Sequence, residues 1–413
     1  SIALGWNLLN EEFIKNLDVF SRLKLRASWG LTGSQAIQPY ATLSPYASIV
    51  YGFSNNNITS GVWISNPGNK DLKWETTDQK NIGLEAGFLD GRLSIEADYF
   101  IKNTTDLLLN RPMPYYVGGG VFTSNVGEIE NKGWELQINA TIISKTNFTW
   151  TSALNISNVK NTVISLGGIA DKIFTGSNTS GINFQSEFVY QPGMPLGTYW
   201  GLKYLGTWKP NEAAEALQYG MKPGDARYED VDNNHSIDNS DYQIIGFGLP
   251  KNSIGWNNTF THKEFTLNFF FQGIFGVDKL NNIRGTSLRA GRDNRQATLS
   301  DIKCRYIPGV NETSDLPAFS VTNVTQPQST MFMEDGSFVR LKNISLSYDL
   351  SKLIKGFNAA VFVNATNLLT ITKYKGIDPE VSSKGSDTDL NQGIDYGAYP
   401  NSKTYKVGVN LTF

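Results

Sequence analysis

The sequence predicts an all-β protein: a large antiparallel transmembrane β-barrel with long extracellular loops. Three observations predict it. Apolar and polar side chains alternate with period two through most of the chain, which places them on opposite faces of strands. Helical periodicity is nearly absent. The connections are either tight turns or long polar stretches, the asymmetry of an outer-membrane barrel.

The strands follow in order. Leu23, Leu25, Ala27 and Trp29 alternate with Arg22, Lys24, Arg26 and Ser28. Leu93, Ile95, Ala97, Tyr99 and Ile101 alternate with Ser94, Glu96, Asp98, Phe100 and Lys102. Trp134 to Ile142 and Phe148 to Ile156 repeat the pattern, as do Ile254–Phe260, Phe265–Phe271 and Ala359–Val363. Tyr405, Val407, Val409, Leu411 and Phe413 close the chain. The best helical candidates, 10–17 and 211–217, are short and polar enough to be loop helices. Leu89-Asp90-Gly91-Arg92 carries a strong hairpin signal. Stretches 32–69, 167–195, 209–241, 277–330 and 373–401 are long and polar, and loops of such length are usually functional.

Alternation alone fits a soluble sandwich as well as a membrane barrel, because both have one apolar face per strand. Trp29, Trp74, Tyr99, Trp134, Trp150 and Phe413 stand near strand ends, where amphipathic rings suit the two membrane boundaries. The opposite faces carry Thr, Asn, Gln, Glu and Lys, suited to a polar lumen. A sheet in lipid must also close, so that every backbone group is paired. The barrel is the reading these features favour; a soluble or surface-attached carbohydrate-binding β protein is the alternative.

Composition narrows the function. The 413 residues carry 36 Lys and Arg against 38 Asp and Glu, a net charge of -2, with 12% aromatic and 18% charged residues. So much apolar surface excludes disorder. Near-neutral charge without a basic cluster argues against nucleic-acid binding. The single cysteine, Cys304, cannot form an internal disulfide and has no activating base nearby in sequence. Two histidines, His235 and His262, cannot build a multi-histidine zinc site. No run reaches the roughly 18 apolar residues of a membrane helix. The opening, Ser1-Ile2-Ala3-Leu4-Gly5-Trp6, reads as the middle of a longer protein.

Several segments then match a known family. They include Asn66-Pro67-Gly68-Asn69-Lys70-Asp71-Leu72-Lys73-Trp74-Glu75 and Asn125-Val126-Gly127-Glu128-Ile129-Glu130-Asn131-Lys132-Gly133-Trp134-Glu135. Gly193-Met194-Pro195-Leu196-Gly197-Thr198-Tyr199-Trp200-Gly201, Pro223-Gly224-Asp225-Ala226-Arg227-Tyr228 and the stretches 335–346, 367–374 and 376–381 complete the set. In this order the chain resembles the C-terminal, barrel-forming part of SusC/RagA-type TonB-dependent outer-membrane transporters of Bacteroidota. The resemblance implies a ~22-stranded barrel, of which residues 1–413 would hold roughly the last 14 strands. A signal peptide, TonB box and plug domain would precede it. It further implies active import of an oligosaccharide or peptide, coupling to TonB, a SusD-like surface lipoprotein as partner, and outer-membrane lipid as surroundings. No catalytic residues are expected.

One motif reads as a Ca²⁺ loop. Asp230, Asp232, Asn234, Ser236, Asp238 and Asp241 place oxygen donors at EF-hand-type intervals, as a hard cation needing six to eight oxygens requires. His235 stands where that loop type has glycine, and Asp241 is shorter than the usual glutamate. The competing reading is a solvated acidic loop with Asx turns. Loop aromatics Tyr115, Tyr116, Trp200, Trp208 and Tyr228 are candidates for stacking on a ligand or partner, against a plain packing role. The last strand, with Tyr405 and terminal Phe413, resembles the assembly signal of outer-membrane barrels. Asn139-Ala140-Thr141, Asn155-Ile156-Ser157 and Asn410-Leu411-Thr412 lie within strands, where polar-face alternation explains them better than glycosylation.

Overall fold

The computed structural model describes residues 1–412 apart from 36–39, 41, 54–56, 113–120, 169, 176–187, 289–299, 320–327, 353–357 and 381–392. Its main element is an antiparallel sheet of eleven strands, each paired with its neighbours in chain order. They are β1 (Ile2–Asn7), β2 (Phe20–Ser34), β3 (Glu75–Phe88), β4 (Leu93–Thr105), β5 (Glu128–Lys145) and β6 (Phe148–Ser165). Then come β7 (Asn252–His262), β8 (Phe265–Phe275), β9 (Phe338–Asp349), β10 (Asn358–Thr372) and β11 (Thr404–Thr412). Against the expectation of roughly 14 strands, the described residues form eleven in this sheet. The remaining short strands pair with one another inside the connections and do not extend the sheet.

The two ends of the sheet differ as expected. Links 89–92, 146–147 and 263–264 are tight, and 8–19 and 350–357 share their end. At Asp90 and Gly91 φ is +55° and +80°, and the Arg92 N–H donates to Leu89 O at 3.1 Å, the twist that joins two strands directly. The opposite end carries 35–74, 106–127, 166–251, 276–337 and 373–403. Stretches 167–195 and 209–241 prove to be parts of one connection. Loop 106–127 escaped detection because Leu107, Leu108 and Leu109 continue the apolar run of β4, although the backbone turns at Asp106 with φ +57°. Of the helical candidates, only Glu12–Lys15 and Ala213–Gln218 are α-helical, both within connections.

Register carries one apolar face across the whole sheet. Trp6, Leu25, Leu84, Ala97, Leu136, Ile156 and Ile254 pair in a single row over seven strands. Leu267, Leu346, Val363 and Val407 form another over β8 to β11. No second layer covers this face among the described residues: Leu4 is 72% exposed, Ile82 51%, Val363 53% and Val407 81%. Each large aliphatic side chain left in water instead of a hydrocarbon setting costs about 1.5–3 kcal/mol. A soluble sandwich would bury this face against a second sheet, and the described residues supply none. Two indoles on it find partners across strands: the Trp150 indole donates to Asn258 Oδ1 and the Trp256 indole to Ser152 Oγ, both at 3.0 Å. Rings cluster near the tight-turn end, with Phe20 on Phe88 at 5.1 Å and Phe265 on Tyr348 at 4.6 Å.

The other face is polar. Arg26 bridges Glu85 at 3.1 Å and Asp98 at 2.8 Å, and Arg22 also pairs with Glu85. Thr77 with Thr104, Ser157 with Ser253, and Asn161 with Asn131 add cross-strand hydrogen bonds of 2.9, 2.6 and 2.7 Å. The best-packed apolar core lies outside the sheet, in the long connections. Phe188, Tyr199, Leu280, Phe332 and Ile394 are at most 1% exposed and cluster together. They come from three connections, held by a four-stranded sheet (Ile173–Thr175, Phe188–Tyr190, Thr198–Gly201, Gln243–Phe247) and a three-stranded one (Asp278–Asn281, Met333–Asp335, Ile394–Asp395).

Two substitutions separate the faces. Val363→Lys in the full-length protein should cost roughly 2–4 kcal/mol of folding in a bilayer, read as a lower yield of heat-modifiable barrel on refolding into vesicles. Ser345→Lys, one step away on the polar face, should refold like the wild type. Equal yields for both would contradict the assignment of the faces.

Candidate functional site in the outer loops

Loop 230–241 folds around carboxylates. Asp241 is fully buried and its two oxygens accept the N–H groups of Val231 at 2.7 Å and Asp238 at 2.8 Å. Asp230 accepts from the N–H groups of Asn234 at 3.2 Å and His235 at 2.9 Å, and from the Tyr219 hydroxyl at 3.1 Å. Asp232 shares the Asn234 N–H at 3.2 Å, Asn234 Oδ1 accepts the Ser236 N–H at 2.7 Å, and Asp238 accepts from the Ser240 N–H at 2.7 Å. Asp230, Asp232 and Asp241 each bring a carboxylate oxygen within 4.8 Å of the others. His235 occupies the glycine position of an EF-hand-type loop and adopts the backbone a glycine would, with φ +61°. Its ring packs edge-on against Tyr219 at 5.3 Å.

The carboxylates diverge in acidity. Burial alone would raise Asp230, but the N–H groups of His235 and Asn234 and the Tyr219 hydroxyl hold it below the usual carboxylate range. Asp232 is pushed up by burial and by the charges of Asp230 and Asp241 facing it. Three mutually repelling carboxylates around one point are what an oxygen-seeking cation would relieve.

The loop aromatics mostly pack. Trp208 is only 3% exposed, its ring between the Arg227 guanidinium at 4.3 Å and Tyr219 at 5.4 Å, the arrangement of the packing reading. Trp200 is half-buried, with Lys172 Nζ over its ring at 4.4 Å and Phe174 beside it at 5.7 Å. Tyr228, also half-buried, packs on Tyr204 at 5.7 Å. Tyr115 and Tyr116 lie outside the described residues, as does Phe413. Tyr405 lies on β11, pairs with Ala365 and is 67% exposed on the apolar face. Cys304 is exposed.

Sequence patterns did not disclose a buried ion-pair cluster. Arg340, near the outer end of β9, is 2% exposed and pairs with the buried Asp378 and, at 2.8 Å, with Glu380 of the β10–β11 connection. Lys342 reaches Glu380 at 2.7 Å, and the Asn401 N–H donates to Asp378 at 2.9 Å. Burial alone would raise Asp378, but Arg340 and the N–H groups of Glu380 and Asn401 hold it below the ordinary carboxylate range. Nearby, buried Lys279 faces Asp395, Asp378 and Glu380, although burial still draws its ammonium pKa down. Tyr374 closes the cluster by donating to Asp395 at 2.7 Å. Forty residues separate Arg340 from Glu380, so no local motif betrays the pair.

Comparison with known proteins gives a consistent result. A family model described as TonB dependent receptor-like, beta-barrel, matches residues 2–368. TonB-dependent receptor P3 of Formosa agariphila is 34% identical over the whole chain, which spans 41% of that relative. TonB-dependent receptor SusC of Bacteroides thetaiotaomicron is 29% identical, again over the whole chain and 40% of the relative. Among solved structures, the RagAB peptide transporter superposes with a TM-score of 0.82 at 27% identity, covering all of this chain and 43% of that one. The chain thus spans about two fifths of the length of these relatives.

The Asp378 anchor has a definite pH dependence. Its folded-state pKa is depressed, so its stabilisation is complete above the unfolded value of about 3.9 and fades only as pH falls through the lower folded value. Hydrogen exchange of residues 393–401 in the full-length protein should therefore stay slow from pH 7 to about 4.5 and accelerate below the ordinary carboxylate range. Asp378→Ala, which leaves buried Arg340 with Glu380 as its one remaining ion-pair partner among the described residues, should cost at most about 3–5 kcal/mol locally and give faster exchange already at pH 7. Slow exchange in that variant would refute the anchor.

Proposed function

Because this chain belongs to the TonB-dependent receptor β-barrel family, we propose that it is the C-terminal barrel portion of an outer-membrane importer of the SusC/RagA type. The observation that carries the proposal is the continuous bare apolar face of a one-layer sheet, backed by a charged and hydrogen-bonded polar face. The first face suits lipid and the second an aqueous lumen. The cargo is an oligosaccharide or a peptide too large for passive diffusion. A SusC and a peptide transporter both stand among the relatives. Capture takes place at the packed outer loops, beneath a SusD-like surface lipoprotein. Energy comes from TonB, acting through the N-terminal part of the longer protein. In this reading the chain's residues bind, line and release; none makes or breaks a bond. The soluble carbohydrate-binding alternative would require a protein cover for the apolar face.

Two measurements on the full-length protein test this. Affinity isolation from detergent-solubilised outer membranes should bring down a surface lipoprotein in near-equal amount. Uptake of the cognate nutrient should stop when either the receptor or TonB is deleted. Isolation from the aqueous fraction of lysed cells without detergent would end the proposal.

We also propose that loop 230–241 binds Ca²⁺, favoured by the convergence of Asp230, Asp232 and Asp241 and by the turn at His235. Asn234, Ser236 and Asp238 would complete an all-oxygen donor set. The ion would brace the loop against the repulsion of its own carboxylates. Calorimetric titration of the detergent-solubilised protein with Ca²⁺ should show one site, weakened at least about tenfold by Asp232→Ala, which removes a charged ligand. Equal heats from both proteins would leave an acidic loop held by Asx turns.

A further inference from the structure

The apolar face ends, on its loop side, in a row of lysines. We infer that Lys80, Lys132 and Lys160 form a rim that holds the phosphate groups of a lipid headgroup in the outer leaflet. The inference rests on the membrane reading above and adds a specific contact to it.

Register supplies the geometry. Lys80 on β3 pairs with Ile101 on β4, Ile101 with Lys132 on β5, and Lys132 with Lys160 on β6. All four therefore project from the lipid-facing side. Trp29 continues the row on β2, opposite Lys80. One step inward on the same face stand Ile82, Tyr99 and Trp134, directly paired, two of them rings of the kind that settle at membrane boundaries. Lys160 lies twelve residues from the tight-turn end of β6 at Phe148, just beyond the roughly 9–11 residues of one bilayer crossing. The lysines thus sit on the water side of the aromatic belt, where headgroups lie. Their long aliphatic stems can cover apolar surface while the ammonium groups reach phosphate.

Electrostatics point the same way. Lys132 and Lys160 are direct cross-strand partners, with Cβ atoms about 4.5–5.5 Å apart, an arrangement of like charges that destabilises a sheet. Among the described residues Lys160 has no ion-pair partner to offset it. Lys132 leans on Glu130 at 2.7 Å and Lys80 on Asp78 at 3.3 Å. Asp78 also accepts the Trp29 indole N–H at 2.8 Å. Both carboxylates lie one step outward from the lysines, so positive charge faces the membrane and negative charge faces the loops. A phosphate seated against Lys132 and Lys160 would cancel their repulsion and accept from both. The same level of the opposite face carries Lys102, which gives an internal control.

The test uses the full-length protein reconstituted into phosphatidylcholine vesicles doped with diphosphorylated lipid A, then extracted and washed in detergent. Mass spectrometry reads the lipid A retained per protein. Wild type should retain it, and Lys132→Gln with Lys160→Gln should retain about fivefold less for each lysine lost. Lys102→Gln should match the wild type. Dephosphorylated lipid A should not be retained, and millimolar inorganic phosphate should not displace the bound lipid. Equal retention by the double variant, retention of the dephosphorylated lipid, or full displacement by free phosphate would each overturn the inference while leaving the barrel reading intact. Failure of the wild type to insert into any vesicle would overturn the membrane reading and the lysine rim together.

Discussion

A sheet one layer thick has two faces to satisfy and only one set of strands with which to do it. In this chain the faces are separated through the middle of the sheet: rows such as Trp6–Leu25–Leu84–Ala97–Leu136–Ile156–Ile254 cross seven strands without a charge. Register is strict because a slip of one residue would send Arg26, Glu85 and Asp98 into the apolar side and Leu25, Leu84 and Ala97 into the polar one. The same separation removes any hydrophobic core from within the sheet. What holds the strands is the backbone ladder, cross-strand packing, and a surrounding medium that has no hydrogen bonds to offer the backbone in exchange. The first and last strands of the sheet, β1 and β11, each pair on one side only among the described residues. A hydrocarbon setting makes such open edges untenable, so closure with further strands is a requirement of the same constraint.

The outer connections solve the opposite problem. They stand in water and must fold as a small soluble protein would, so they carry the core that the sheet lacks. Phe188, Tyr199, Leu280, Phe332 and Ile394 come from three different connections and meet in one cluster. Arg340, Asp378 and Glu380 tie that region back to the outer end of β9. Buried ion pairs add little net stability by comparison with apolar packing, yet breaking one is costly. Such a pair therefore fixes how the connection is seated more than how strongly. The loops that would meet a ligand are thus pre-organised over much of their length. Trp208, an aromatic that composition alone would offer to a ligand, is packed between Arg227 and Tyr219.

Much of the sheet was legible because period two is a local signal, repeated in each strand without reference to any other. Leu93 to Lys102 and Trp134 to Ile142 could be placed face by face from the sequence. The outer core was not legible, because its members are single apolar residues or runs of two or three in polar stretches: Ile394 sits near Gly393 and Asp395, and Leu280 near Asn281 and Asn282. Their meaning lies in contacts across more than a hundred residues. Loop 106–127 was hidden for the converse reason, an apolar run that continues past a turn. In the acidic loop, the donor spacing was readable, while the effect of His235 was not. A non-glycine residue in the left-handed region is a modest strain, and the hydrogen bonds of Asp230 and the Tyr219 ring hold it there. Alternation left the sandwich and the barrel equally open; the family resemblance and the absence of a second layer among the described residues separate them.

Strand β6 reads from end to end as a scale of depth. Phe148 and Trp150 lie at its tight-turn end, among the rings of Phe260 and His262. Leu154 and Ile156 follow in the apolar band, paired with Ile138 and Leu136 on one side and Trp256 and Ile254 on the other. Lys160 comes next, opposite Lys132, where apolar surroundings give way to charge. Val163, three residues on, is 2% exposed and packs with Leu166 and Tyr190 in the water-facing loop core. A strand of 18 residues exceeds what one crossing needs, about 9–11. The surplus is structural: its outer third is the platform on which the connections fold, with the Val163 backbone bonded to Gly193 and Met194 at 2.8 Å. Membrane wall and loop platform are therefore one continuous ladder, and a displacement of the loops has a direct path into the strands whose polar face lines the lumen.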